Sequence, residues 1–259
     1  DNEEKCLSVQ GRTVASIQVR MGSSRLPGKV MRQLKNRPLL GLLIDRLRLC
    51  KTLDEIIVAT SVGVENDVIE SFCNVEGIRC YRGSEDDVLD RTLKALEYAS
   101  ATIGVEVFGD CPLIDPSIVD DLVNYFRKDF AYDFVGNDLK TTYPPGMEVE
   151  VFAVKALSDS SKRLPLNDPV REHGTLFIRQ HPELYNLMNI EATGASLRPE
   201  LELEVDTAED FSVVLSIVEN FRGRIDFTLE EIIRYLDANP QIAGLNSRVH
   251  RRWKEFRVD

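Results

Sequence analysis

Apolar residues along this chain alternate between short continuous runs and four-residue spacing, beginning with Val14-Ala15-Ser16-Ile17-Gln18-Val19. A β-branched run of that length, bounded by polar residues, predicts a buried strand. Leu39, Leu43 and Leu47, with Leu40 and Ile44 beside them, predict a helix with Pro38 at its first position. Glu55–Thr60 reads as a second strand, Glu65–Cys73 as a short helix and Ile78–Tyr81 as a third strand. Ser84 is a cap for a helix running to about Ala99, with Leu89, Leu93 and Leu96 on its inner face. Val105–Phe108 is a fourth strand, and Asp115 followed by Pro116 an N-cap with proline at N1.

Further on, Tyr132–Val135 begins another strand, and Thr142-Tyr143-Pro144-Pro145-Gly146 breaks the pattern. Met147–Phe152, reading MEVEVF, alternates like a strand with one exposed face, and Ala156–Arg163 suits a helix. Leu184–Ile190 and Leu201–Val205 read as two more strands; Val213, Ile217 and Val218 lie on a helix, and the last helix spans about Leu229–Leu236. Strands alternating with helices predict an α/β fold, a mostly parallel central sheet with helices on both faces and right-handed crossovers. The expected organisation is a polar leader over residues 1–12 and a single domain over 13–238, with a small protruding β/α excursion at about 138–190. A loosely packed basic tail over 239–259 follows, carrying Arg248, Arg251, Arg252, Lys254 and Arg257, with Trp253 and Phe256 as anchors on the domain or a second subunit.

Composition narrows the class. With 259 residues, 43% of them hydrophobic, the chain can bury a full core. The longest apolar run, about Leu39 to Ile44, is far short of a membrane span, and the polar first dozen residues lack a signal pattern, so a cytoplasmic protein without a membrane partner is expected. The five cysteines show no C-x-x-C spacing and the three histidines no metal-ligand spacing, which argues against a zinc site or a disulfide framework. A net charge of −11 disfavours nucleic acid as the partner.

Against that acidic background, residues 5–43 carry Lys5, Arg12, Arg20, Arg25, Lys29, Arg32, Lys35 and Arg37 and no carboxylate. Such an island is suited to something anionic. Its centre, Arg20 to Lys29, reads RMGSSRLPGK directly after the first strand. Gly22 and Gly28 permit close backbone approach, Ser23 and Ser24 offer hydroxyl donors, and Arg20, Arg25 and Lys29 supply charge, as a polyphosphate cradle requires. The spacing is neither that of a P-loop nor that of a dinucleotide fold. At the carboxyl end of the fourth strand, Asp110 follows Gly109; it either turns the chain with its own backbone or faces the crevice where open α/β sheets bind ligands. Magnesium held by one or two carboxylates and substrate phosphates needs a group so placed. Asp206 with Glu209, or Thr207 with Asp210, makes a capping box that explains the local sequence unaided.

VRMGSSRLPGK after an N-terminal strand resembles the signature of the CTP-dependent sugar cytidylyltransferases, the group that contains the CMP-ketodeoxyoctulosonate and CMP-sialic acid synthetases. GSEDDVLDR and FGDCPLIDP bring the chain nearest to the spore coat polysaccharide SpsF-like branch. The resemblance covers about Val14 to Glu219. It implies a GT-A-like, nucleotide-diphospho-sugar transferase fold, CTP and a sugar-acid acceptor as substrates, Mg2+ as cofactor and a homodimer. It further implies metal binding by Asp110 and Asp206, nucleotide contacts from Arg20, Gly22, Ser23, Ser24, Arg82 and Arg91, and catalytic roles for Arg25, Lys29 and Asp110. Arg171, Glu172 and His173 fall near the acceptor on this basis, although a surface helix face accounts for them equally well. A related enzyme making a CDP product from a phosphorylated acceptor, and a non-catalytic nucleotide binder on the same fold, are the alternatives.

Overall fold

In the computed structural model, which describes residues 11–128 and 131–251, Thr13–Gln18 forms β1 at the centre of a seven-stranded sheet. The leader up to Gln10, and Arg252, Trp253, Lys254, Phe256 and Arg257 of the tail, lie outside the described residues. A hairpin of β2 (Gln33–Leu34) and β3 (Arg37–Pro38) precedes α1 (Leu39–Leu47). Pro38 flanks that helix rather than opening it, since its extended ψ of 154° completes the hairpin. Then come β4 (Glu55–Ser61), α2 (Asp67–Glu76), β5 (Arg79–Gly83), α3 (Val88–Tyr98), β6 (Ile103–Phe108) and α4 (Pro116–Lys128). The second half contributes β7 (Phe134–Gly136), β8 (Glu150–Ala153), α5 (Val154–Arg163), α6 (Leu176–Gln180), β9 (Leu187–Asn189), α7 (Ala208–Asn220), α8 (Leu229–Ala238) and α9 (Pro240–Ala243).

The strand order is β5-β4-β1-β6-β8-β7-β9. Every pairing is parallel except those of β8, which runs against both β6 and β7. Period-two alternation divides the core between the two faces. Ala15 and Ile17 of β1 pack with α1, α4, α7 and α8, while Val14, with Ile57 and Ala59 of β4, packs with α3 and α5. Among the described residues no helix is long and apolar enough to cross a membrane.

Several expected elements differ for local reasons. The cap of α3 is Asp87, whose Oδ1 accepts from Asp90 N at 2.9 Å; Ser84 acts one step earlier, its hydroxyl accepting from Asp87 N at 3.1 Å. Leu201–Val205 is not a strand: its backbone bonds run singly to different segments, among them Leu203 N to Pro145 O and Val205 N to Asp110 O. Met147–Phe152 has no exposed face: every residue of it is buried, Glu148 and Glu150 included. Over the described part of the tail most residues are exposed or half-buried, but Asn246 and Arg251 are buried against Asp210 at the start of α7.

Candidate active site

The register of β1 on β6 places Gln18 beside Phe108, so the segments that leave these two strands emerge together at the carboxyl edge of the sheet. Gly109 permits this junction: a Cβ there would lie 2.6 Å from Gln18 O and 2.2 Å from Val19 Cγ1. After β1 the chain curls on itself. Ser23 N and Gly28 N both donate to Met21 O at 3.0 Å, and Met21 N donates to Oδ1 of the buried Asn66 at 2.8 Å. Gly28, at φ 67°, takes the left-handed turn that brings Lys29 back towards the sheet.

Lys29 is the hub of the site. Its ammonium donates to Asp110 Oδ2 at 3.2 Å, to Asp206 Oδ1 at 3.0 Å and to the Val205 carbonyl at 2.8 Å. Burial disfavours its charge, but Asp110 and Asp206 outweigh burial and raise the pKa above the ordinary lysine value. Arg25 donates to the other oxygen of Asp206 and to His250 O, the latter at 2.7 Å. Asp206 is free to face these cations because capping falls to its neighbours. Thr207 and Asp210 form the capping box of α7, and Asp210 Oδ2 accepts from Asp206 N at 3.0 Å. Asp210 is fixed in turn by Asn246 at 2.8 Å and by both terminal nitrogens of Arg251 at 2.7 and 3.0 Å. Burial alone would raise the Asp210 pKa; the Arg251 and Asn246 bonds more than reverse it, and the group lies below the usual carboxylate range.

These groups open onto a cleft of about 640 Å³. Arg20, Gly22, Ser23, Ser24, Arg25, Lys29, Arg91, Asp110 and Asp206 all line it, as do Glu172 and His173. Arg91 is held in place from Nε to Gln18 Oε1 at 3.0 Å and from Nη1 to the Ser84 carbonyl at 2.6 Å. Arg20 pairs with Glu85 at 2.9 Å on the exposed rim. Two expected site residues lie elsewhere. Arg82 does not line the cleft: it donates to the Ser61 and Gly63 carbonyls and pairs with Glu70 and Asp67, bracing the β4–α2 connection. Arg171 is buried and tied to Asp87 at 2.7 Å and to the Ser161 carbonyl at 3.0 Å, so it fastens the excursion to α3 rather than reaching an acceptor.

The inner wall of the cleft holds acids that the sequence reading did not single out, namely Glu106, Asp138, Glu148, Glu150 and Glu204. Burial, together with Asp138, pushes Glu106 up to about 7 and Glu150 well above the usual carboxylate range. The available signal was a glutamate inside the apolar strand Val105–Phe108, and two more in MEVEVF, where alternation has two physical solutions: a solvated face or the wall of a cleft.

Among the described residues no group of three or more His, Cys, Asp or Glu is arranged to hold a metal. Asp110 and Asp206 converge on one ammonium, and two hard carboxylate ligands completed by phosphate oxygens and water are a donor set that suits magnesium.

An open α/β sheet with a cationic, glycine-bearing loop and facing carboxylates at its carboxyl edge is the frame of a nucleotide-binding protein. More narrowly, the chain belongs to the cytidylyltransferase family, whose model matches residues 14–238. It is 36% identical over 232 residues to the spore coat polysaccharide biosynthesis protein SpsF of Bacillus subtilis, covering 88% of this chain and 95% of that one. It is 26% identical over 232 residues to the 3-deoxy-manno-octulosonate cytidylyltransferase of Chlamydia trachomatis, covering 82% and 88%. Among solved structures, a cytidylyltransferase from Leptospira borgpetersenii superimposes with a TM-score of 0.85 at 28% identity, covering 93% of this chain and 99% of that one.

Proposed function

We propose that this protein transfers CMP from CTP to a sugar acid with release of pyrophosphate, in the synthesis of a surface polysaccharide or glycan. The observation that carries this reading is the convergence of Arg25, Lys29, Asp110 and Asp206 beside the Gly22-Ser23-Ser24 turn. The relatives supply the cytidylyl class and, in the octulosonate enzyme, a sugar-acid acceptor.

In this reading the triphosphate lies along the loop, with the Ser23 and Ser24 hydroxyls as donors and Arg25 and Lys29 on the β- and γ-phosphates. The acceptor oxygen attacks the α-phosphorus in line, its proton leaving to water. The bond to the bridging oxygen breaks with its electron pair, and the charge that gathers on pyrophosphate falls against Lys29 and Arg25. The chain's contribution is to hold the Lys29 ammonium in the cleft, where it can pass from Asp110 and Asp206 to the phosphates as the nucleotide and its cation enter. Magnesium on Asp110 and Asp206, when bound, would neutralise phosphate charge. Arg91, Glu172 and His173 line the same cleft; in this reading Arg91 meets the nucleotide, and Glu172 and His173 meet the acceptor. The acidic inner wall argues against a phosphorylated acceptor, since a dianion would face Glu106, Glu148 and Glu150.

The test is Lys29→Ala and Asp110→Ala, assayed for pyrophosphate release from CTP with circular dichroism as the fold control. Turnover should fall by about 10²-fold or more in each, the usual loss for removing one preorganised charge-stabilising group. Wild-type turnover in either variant would remove its assigned role.

A further inference from the structure

Glu106 of β6, Asp138 after β7 and Glu150 of β8 are 3%, 1% and 1% exposed and form part of the cleft wall. The antiparallel register sets Glu106 directly opposite Glu150. One guanidinium bonds to this group: Arg179 donates from Nη1 to Glu150 Oε1 at 3.2 Å and from Nη2 to the Asp138 carbonyl at 3.2 Å, with Asp138 Oδ2 at 3.5 Å, while Arg91 acts on Glu106 through its charge alone. The Thr175 hydroxyl takes the second oxygen of Glu150. Glu106 Oε2 and Asp138 Oδ1 are left as buried acceptors without a hydrogen-bond partner. Gly174 lets the backbone pass close to this carboxylate, since a Cβ there would lie 3.0 Å from Glu106 Oε2.

Folding does not call for this arrangement. Three buried carboxyl groups with one bonded guanidinium among them are destabilising, and an apolar residue at position 106 would serve a central strand better. With Glu106 ionised, as a bound cation would hold it, the two unsatisfied atoms are acceptors, so a ligand that completes them must donate hydrogen bonds. The surplus of carboxylates favours a cation over a neutral hydroxyl and repels a phosphate. The wall lies on the β8 and β7 side of β6, whereas the cationic loop assigned to the triphosphate leaves β1 on the other side.

We propose that Glu106 and Asp138 form a subsite for a protonated amino group carried by the acceptor, making an amino sugar acid the preferred substrate class. This rests on the sugar-acid reading above, and the test separates the two. CMP transfer is measured with the matched pair 8-amino-3,8-dideoxy-manno-octulosonate and 3-deoxy-manno-octulosonate, and with the pair glucosaminate and gluconate, each differing by one amine. In at least one pair the amine should show about tenfold or greater advantage in kcat/KM, a difference of about 1.4 kcal/mol. Glu106→Gln, nearly the same in shape, should bring that ratio to within about twofold of unity at unchanged circular dichroism. Equal use of both members in both pairs, or an advantage that survives Glu106→Gln, overturns the proposal. If no sugar acid is turned over, the sugar-acid reading fails, and calorimetry on the CTP-loaded protein decides the subsite. Tighter binding of glucosaminate than gluconate, lost in Glu106→Gln, supports it; equal or absent binding overturns it.

Discussion

A glutamate in the middle of a buried strand makes stability depend on pH, and Glu106 sets the sign. Burial first and the Asp138 charge second push its pKa up to about 7, with Arg179 and Arg91 opposing. The folded state therefore holds a proton that the unfolded chain releases near its ordinary value of 4.5. The stability this contributes is fully present below that value and is lost as pH rises through about 7. Glu150 shifts in the same direction, from burial and Asp138, and adds to the slope. Denaturant unfolding of the nucleotide-free protein should show stability falling between pH 5 and pH 8, by at most about 3 kcal/mol for Glu106, and Glu106→Gln should flatten the fall. Identical profiles for wild type and variant would contradict the burial assigned here. Glu106 also marks a limit of legibility: in the sequence it is one polar residue in a short strand, and only the antiparallel pairing with β8 brings Glu150 against it. Lys29 and Asp110 could be singled out because each lies in the segment that leaves an apolar strand at the sheet's carboxyl edge, whereas Asp206, whose local sequence a capping box explains, was singled out by resemblance.

Among the elements, the N-terminus of α7 shows how local rules divide labour. Asp206 looked like a capping residue, yet Thr207 and Asp210 do that work and leave Asp206 to Arg25 and Lys29. Asp210 is then doubly committed, to the helix and to Asn246 and Arg251 from the segment after α9. That segment lies beyond the residues the family model matches, and basic composition made it look like a loose tail. The composition said nothing of the one carboxylate buried beneath it. Arg251→Ala would leave Asp210 with part of its charge unanswered in a buried site, which should cost about 3 kcal/mol in denaturant unfolding. Because the His250 carbonyl beside it also holds Arg25, pyrophosphate release should fall more than the folded fraction does. A loss of activity that only tracks unfolding would reduce Arg251 to a structural residue. Similar reasoning explains Leu201–Val205, where apolar alternation was present but the backbone bonds go singly to different segments, so no ladder forms.

At the scale of the whole molecule, five cations of the sequence's basic island are answered by carboxylates. Arg12 pairs with Glu55, Arg20 with Glu85 and Arg37 with Asp45 and Glu76, all carboxylates from later in the chain. Arg25 and Lys29 likewise pair with Asp206 and Asp110, but those pairs lie in the cleft and involve the groups assigned to the phosphates and the cation. A bound triphosphate must therefore take Arg25 and Lys29 away from two aspartates, leaving both carboxylates uncompensated unless a divalent ion replaces the lost cations. Nucleotide and magnesium should accordingly stabilise the fold together and hardly at all apart. At a hundredfold excess over its dissociation constant, CTP with magnesium should add about 2.7 kcal/mol, a rise in melting temperature of roughly 5–10 °C for a chain of this size. With a chelator in place of magnesium the CTP shift should nearly vanish. Asp110→Asn, which removes one of the two stranded charges, should restore part of the metal-free shift while turnover stays low. A CTP shift in wild-type protein that is equal with and without the chelator would mean that the aspartates do not need a replacement cation, and the exchange inferred from Lys29 would not occur.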